Sequence, residues 1–288
     1  MKFFDLHCDT ATVLYDQKLS FDNNKTQLRK NALGGMELTQ CFAVFFNDLT
    51  PDPPGMEYLT QIHRTVFPQL KETTSPLLTV EGAGVLARTS DDWIERLAEL
   101  DCRMAGLCWN GDTPLGTGAV TNDFAPLKTQ GKEAVLRLWE KGIVTDVSHL
   151  SAAGTEDVLS IAEFPVAASH SNLRSVWDHP RNLTDEAAKE IFARGGVIGL
   201  NLYPPFLGEK GTIDDLIRHA ERFLFLGGEN GLCLGGDLDG IERLPEGMTD
   251  ISSYKLLFQR FQEAFGDTVC EKICYENAAR FFACNRKE

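Results

Sequence analysis

Residues 143–170 read IVTDVSHLSAAGTEDVLSIAEFPVAASH. An apolar, β-rich run, Ile143–Val147, closes on Ser148-His149. A segment of helical period follows, Ser151–Ile161, with Ser151 at the position of a helix N-cap. A second apolar run, Pro165–Ala168, then closes on Ser169-His170. This is one strand–helix unit and the start of the next, and each strand end carries a histidine. Neither apolar run alternates polar with apolar residues, as expected of parallel strands covered by helices on their outer face.

The same rhythm extends in both directions. Further apolar runs lie at Phe3–His7, Thr39–Phe46, Pro76–Glu81, Arg103–Trp109, Gly196–Asn201 and Leu232–Asp237, which makes eight. Helical segments are predicted at Asp91–Leu100, Gly131–Lys141, Thr184–Arg194 and Asp214–Leu226, and the chain beyond Asp250 reads as helices only. Eight strand–helix units predict a (β/α)8 TIM-type barrel with additional C-terminal helices. A doubly wound sheet is the runner-up. With 288 residues and neither linker nor repeat, residues 1–288 read as a single domain.

Composition narrows the function classes. Hydrophobic residues make up 43% and charged residues 24%, as in an ordinary globular protein. The formal net charge is -14 with a pI near 4.9. Such a chain repels a phosphate backbone, and no basic patch offsets this, so nucleic acid is not an expected partner. No run approaches the roughly 18 apolar residues of a membrane span. The start, Met1-Lys2-Phe3-Phe4-Asp5, does not read as a signal peptide. The expected compartment is the cytoplasm, and the eight cysteines are expected to be free thiols. Cys270 and Cys274, spaced i, i+4, read as core-facing.

Polar residues gather at the strand ends, where barrel enzymes place their chemistry. His7 and Asp9 close the first run, Glu81 the third, His149 the fifth, His170 the sixth and Asp237 the eighth. Any one of them alone is as consistent with a turn or a capped helix. His7-Cys8-Asp9 puts an imidazole and a carboxylate on one face of a strand, and Cys8 on the other. Asp237 lies in Gly235-Gly236-Asp237-Leu238-Asp239-Gly240, where an Asp-Gly turn is also expected. His63 and His219 fall on helices with charged neighbours and are expected at the surface. His179 lies in a loop and is left open. Three histidines with several carboxylates suit two zinc ions joined by one carboxylate, an arrangement able to hydrolyse an amide. No G-x-S-x-G or catalytic-cysteine pattern competes with it.

Taken in order, these pieces resemble the membrane (renal) dipeptidase family, the zinc dipeptidases of peptidase family M19. The resemblance rests on Asp5-Leu6-His7-Cys8-Asp9, Glu81, Val144–His149, Pro165–Ser171, Arg181-Asn182, Gly235–Gly240 and the Asn277–Arg280 segment. It implies two Zn2+ per chain, with His7 and Asp9 on one, His149 and His170 on the other, and Glu81 between them. It implies that Arg181 grips the free carboxylate of a dipeptide, that Tyr203 touches substrate, and that Asp237 relays a proton to the leaving amine. The implied reaction is dipeptide hydrolysis by a metal-bridging hydroxide, with tolerance of a D-residue at the C-terminal position. A homodimer is suggested too. One departure stands out: many members carry a histidine in a Leu-Thr-His segment, and here Leu107-Cys108-Trp109-Asn110 puts Trp109 in its place. Trp109 and Asn110 are therefore expected at the substrate. The alternatives are a related amidohydrolase acting on cyclic amides or N-acyl amino acids, and a non-catalytic metal-binding barrel.

Overall fold

The computed structural model describes residues 1–22, 24–89 and 92–285. Eight parallel strands close in sequence order: β1 (Lys2–Cys8), β2 (Glu37–Phe45), β3 (Ser75–Glu81), β4 (Cys102–Gly106), β5 (Val144–Asp146), β6 (Ala167–Ala168), β7 (Val197–Leu200) and β8 (Leu232–Leu234). β1 meets β8 through Asp5 and Leu234, which closes the barrel. This is the (β/α)8 barrel expected from the eight apolar runs, with helices Tyr254–Phe265 and Asn277–Cys284 added at the C-terminal end of the chain.

The strands end earlier than their apolar runs. β4 stops at Gly106, β5 at Asp146 and β8 at Leu234. Trp109, His149 and Asp237 therefore stand on the loops beyond the sheet rather than on it. The expected helices form at Trp93–Glu99, Thr129–Glu140, Ala152–Ile161, Asp185–Ala193 and Ile213–Phe225. Asp91, the expected start of the first, lies outside the described residues. Ser151 caps its helix by accepting the Gly154 N–H, and Thr184 accepts the Ala187 N–H. A full capping box forms instead at Thr212 and Asp215. Among the described residues, no helix is long and apolar enough to cross a membrane.

Two apolar cores follow from the pleat. The larger lies between the sheet and the helices around it, and includes Phe3, Phe42, Leu216 and Phe261. Cys8 belongs to this outer core, facing away from the barrel axis as expected. The smaller core fills the barrel at the N-terminal ends of the strands. There Phe4, Leu6, Cys41, Met104, Val144 and Val197 pack against Phe281 and Phe282 of the last helix.

β1 does not alternate cleanly. Phe4 and Leu6 point inward, so regular pleating would send His7 outward with Phe3 and Asp5. Against β2, however, Asp5 pairs with Gln40 and Cys8 with Phe42, so Leu6 and His7 together oppose Cys41. This is a β-bulge. Asp5 holds it by accepting the His7 N–H at 2.9 Å. The bulge turns His7 into the barrel and Cys8 out.

His219 corrects a sequence expectation. It is fully buried, although Arg218 and Glu221 flank it. It shares a helical stripe with the buried Leu216, Ala220 and Phe223. Its Nδ1 accepts the Leu173 N–H at 3.1 Å, and its Nε2 meets the Leu207 carbonyl at 3.0 Å. Burial holds its pKa down at about 4. His63 is half-buried against Phe67. Cys270 and Cys274 are core residues, as expected.

Candidate metal centre

The C-terminal strand ends and the loops that leave them bring His7, Asp9, Glu81, His149, His170 and Asp237 together, each less than a tenth exposed. Glu81 sits between two groups. Its Oε2 lies 3.3 Å from His7 Nε2, and its Oε1 lies 2.9 Å from His149 Nε2. On one side, His7 Nε2 is 3.4 Å from Asp9 Oδ2 and 3.8 Å from Asp237 Oδ1. On the other, the Nε2 atoms of His149 and His170 approach to 2.9 Å. His7, Glu81 and His170 each offer a ligand atom within 4.8 Å of the others, and so do His7, Asp9 and Asp237.

Backbone strain marks the site. His149 (φ 70°), Asp237 (φ 58°) and Asp239 (φ 67°) adopt left-handed conformations that non-glycine residues rarely hold. Such outliers persist only where surrounding structure over-determines them. At His149 the kink turns the chain off β5 and swings the imidazole over the barrel mouth. Gly240 packs against the acids: a Cβ there would stand 2.2 Å from Asp9 Oδ2 and 2.5 Å from Asp237 Oδ1.

The titration behaviour follows from crowding. Burial opposes charge on His7, but the adjacent Asp9 and Glu81 carboxylates hold its pKa well above the usual histidine range. Burial, and then the Arg181 charge, push His149 down to about 4. Burial, with His7 and His149 nearby, holds His170 well below the usual histidine range. Burial and Glu81 lift Asp9 to about 7. Burial raises Asp237 as well. His149 and His170 are thus neutral imidazoles with lone pairs free for a cation.

This set fits divalent metal ions. His7 Nε2 and Asp9 Oδ1 are buried without a hydrogen-bond partner among the described residues, although polar atoms surround them. Buried polar atoms are rarely left so. Imidazole nitrogens and carboxylate oxygens converging from separate strand ends make up the ligand chemistry of zinc. A second layer aims the ligands, as metal sites require. Ser169 Oγ bonds His170 Nδ1 at 2.7 Å and donates to Asp146 Oδ2 at 2.5 Å. Asp146 Oδ1 accepts the N–H groups of Ser148 and Ser169, tying β5 to β6. Sequence reading passed over Asp146, although an acid inside an apolar strand was the available signal. It also passed over Asn201, whose Nδ2 donates to Asp237 Oδ2 at 3.0 Å.

A cavity of about 470 Å³ opens above these residues. Asp9, Glu81, His149 and Asp237 form part of its floor, and Phe45, Trp109, Tyr203 and Phe206 supply aromatic walls. Asn110 lines it too, with Oδ1 placed 3.2 Å from His149 Nδ1. Trp109 is half-buried, edge-on to Phe45 at 5.0 Å. Arg181 does not line this cavity. It lies 4% exposed behind His170, donating from Nη2 to the His170 carbonyl at 3.3 Å, with its guanidinium over the Phe206 ring. Its Nε has no hydrogen-bond partner among the described residues. Asp239 works as a clamp rather than a ligand, accepting from Thr10 Oγ1 and from the Gln27 and Leu28 N–H groups.

Known proteins share both sequence and shape with this chain. An uncharacterized dipeptidase of Schizosaccharomyces pombe is 30% identical over 203 residues, 68% of this chain and 49% of its own length. The chain spans about half the length or less of the two curated fission-yeast relatives it matches. A crystal structure of a metallopeptidase from Rhodobacter sphaeroides, liganded with a phosphinate mimic of L-Ala-D-Ala, superposes with a TM-score of 0.82 at 22% identity, over 99% of both chains. The metallopeptidase dipeptidase AC superposes with a TM-score of 0.81 at 23% identity, over 98% of both chains. At these identities the superpositions speak for the fold. The sequence pattern of the family described as Membrane dipeptidase (Peptidase family M19) matches residues 51–286. The chain belongs to the membrane dipeptidase family, peptidase family M19.

Proposed function

We propose that the chain is a metal-dependent dipeptidase that holds two zinc ions. The observation that carries this reading is Glu81, whose two oxygens face His7 on one side and His149 on the other at 3.3 and 2.9 Å. A carboxylate so placed joins two ligand groups. His7 and Asp9 would hold one ion, His149 and His170 the other, with Glu81 shared between the two groups. When bound, the ions supply Lewis acidity toward an amide carbonyl and acidify water.

The remaining roles belong to the chain's own groups. Asp237 is anchored at Oδ2 by Asn201 and keeps Oδ1 toward the site. It takes up a proton and passes it to the departing amine, as general acid–base catalysis requires of a carboxylate within reach. Arg181 is a buried cation with an unmet Nε, suited to the free carboxylate of a dipeptide. Its guanidinium lies over Phe206, whose ring also lines the main cavity, so the carboxylate end of a substrate would seat at the Tyr203–Phe206 wall. Trp109 and Asn110 line the opposite wall. Indole offers one N–H and no positive charge, so carbonyl polarisation falls to the metal centre and not to residue 109. Tolerance of a D-residue at the C-terminal position is included in this reading, as in the phosphinate ligand of the Rhodobacter sphaeroides structure.

The test is a panel of dipeptides, with L- and D-residues at the second position, alongside cyclic amides, on protein of measured metal content. Dipeptide turnover with two zinc ions per chain is expected. Turnover of cyclic amides alone, or none on zinc-loaded protein, would overturn the assignment.

A further inference from the structure

The two histidines of one half-site are aimed differently. His170 takes its Nδ1 partner from Ser169, its neighbour in sequence, and Asp146 holds that serine. His149 takes its partner from another strand end, through Asn110 on the loop after β4. What fixes Asn110 is therefore the question, and the structure answers it with a residue outside the cavity.

Asp48, on the loop after β2, is 5% exposed and lies beneath the Trp109–Gly111 turn. Its Oδ2 accepts the Trp109 N–H at 2.7 Å, and its Oδ1 accepts the Gly111 N–H at 2.7 Å. A carboxylate this deeply placed is costly unless its oxygens are met, and here the backbone meets both. A Cβ on Gly111 would stand 2.8 Å from Asp48 Oδ1, so the close approach needs glycine. From the other side, Thr121 Oγ1 donates to the Asn110 carbonyl at 2.5 Å, and the Gly118 N–H donates to the Gly111 carbonyl at 2.9 Å. The Asn110 backbone is thus held on both flanks while its side chain reaches His149. An amide oxygen can only accept. With the amide oxygen toward the ring, this contact is a hydrogen bond when His149 Nδ1 carries the proton, which leaves the Nε2 lone pair toward Glu81 and His170.

We propose that Asp48 is a positioning residue for the metal centre. Its carboxylate fixes the Trp109–Asn110–Gly111 backbone, the backbone fixes the Asn110 amide, and the amide sets the tautomer and ring orientation of His149. This rests on the reading of His149 as a metal ligand.

The test is zinc affinity, measured on metal-free full-length protein by competition with a chromophoric chelator. Asp48→Asn and Asn110→Ala are each expected to weaken zinc binding about 10–100-fold, the range for residues that orient metal ligands. The double variant is expected to bind no more weakly than Asn110→Ala, because both act through one amide. Asn110→Asp keeps the acceptor and is expected to retain affinity within about threefold. Wild-type affinity in Asp48→Asn, or losses that multiply in the double variant, would overturn the proposal. Asn110 is half-buried on a loop, so its variants report even where Asp48→Asn fails to fold. His149→Ala separates the two levels of inference. If it leaves zinc affinity unchanged, the ligand reading fails and this proposal with it. If it weakens binding while a folded Asp48→Asn does not, only the role of Asp48 fails.

Discussion

The two ends of the barrel are built from the same eight strands and have opposite chemistry. At the N-terminal ends, Phe4, Leu6, Met104, Val144 and Val197 fill the interior, and Phe281 and Phe282 close it. At the C-terminal ends, histidines and carboxylates converge under an open cavity. In β1 the two regimes are adjacent residues, Leu6 below and His7 above. The lower end gains from every buried methylene, whereas the upper end keeps buried charges and left-handed backbone at His149, Asp237 and Asp239, held by the structure around them. A variant at one end should therefore disturb binding and chemistry, and one at the other end should disturb folding.

The largest expected effect is at Glu81. Replacing it with alanine removes the carboxylate shared by both ligand groups. Dipeptide turnover is expected to fall on the order of 10⁴-fold, near 5.5 kcal/mol of barrier, with loss of bound zinc. The fold should survive, because the lower core is untouched. Steady-state kinetics, elemental analysis and a thermal melt together check this. Full activity with normal zinc content would break the distinction between the two ends.

The converse variant is Phe282→Ala. Phe282 stacks on Phe4 with ring centroids 5.4 Å apart and planes 13° apart, and the Arg103 guanidinium lies over the Phe282 ring, 5.9 Å from its centroid. Truncating a buried phenylalanine costs about 3–5 kcal/mol. Chemical unfolding should show that loss, while zinc stoichiometry and turnover per folded molecule stay at wild-type values. A drop in zinc affinity in the folded variant would mean that the plug helps to place the ligands.

The sequence displays the lower end more fully than the upper one. Unbroken apolar runs suffice to find eight strands, and the repeated apolar-run–Ser–His pattern at His149 and His170 suffices to find two of the five proposed ligands. What sequence periodicity cannot show is where a strand stops or slips. His7 faces the site because β1 bulges at Leu6-His7, and His149 because its backbone turns left-handed past β5. Asp48 depends on contacts with the distant Trp109–Gly111 turn, and nothing near it in sequence announces those contacts. His219 is a different failure. Its charged neighbours suggested exposure, yet its spacing from Leu216, Ala220 and Phe223 placed it on the buried stripe.

His219 also yields the smallest of these effects, and it concerns how the upper end is supported. The imidazole joins the loop after β6, through the Leu173 N–H, to the helix after β7, through the Leu207 carbonyl. Burial lowers its pKa from 6.5 to about 4. The unfolded chain therefore binds a proton that the folded chain refuses over this interval. Stability from the neutral ring is fully present above about pH 6.5 and is lost as pH falls toward 4. Between about pH 7 and pH 4.5 the loss amounts to roughly 2.5 kcal/mol. His219→Gln removes that titration, so the variant should be less stable than wild type near neutrality but lose less stability on acidification. Urea unfolding of both proteins at the two pH values gives the difference directly. Amide exchange at Leu173 sharpens it: in acid, this N–H should open before those of β2, because the bond that protects it is made by the ring that protonates. Parallel pH dependence in the two proteins would show that His219 does not brace the loops around the metal centre.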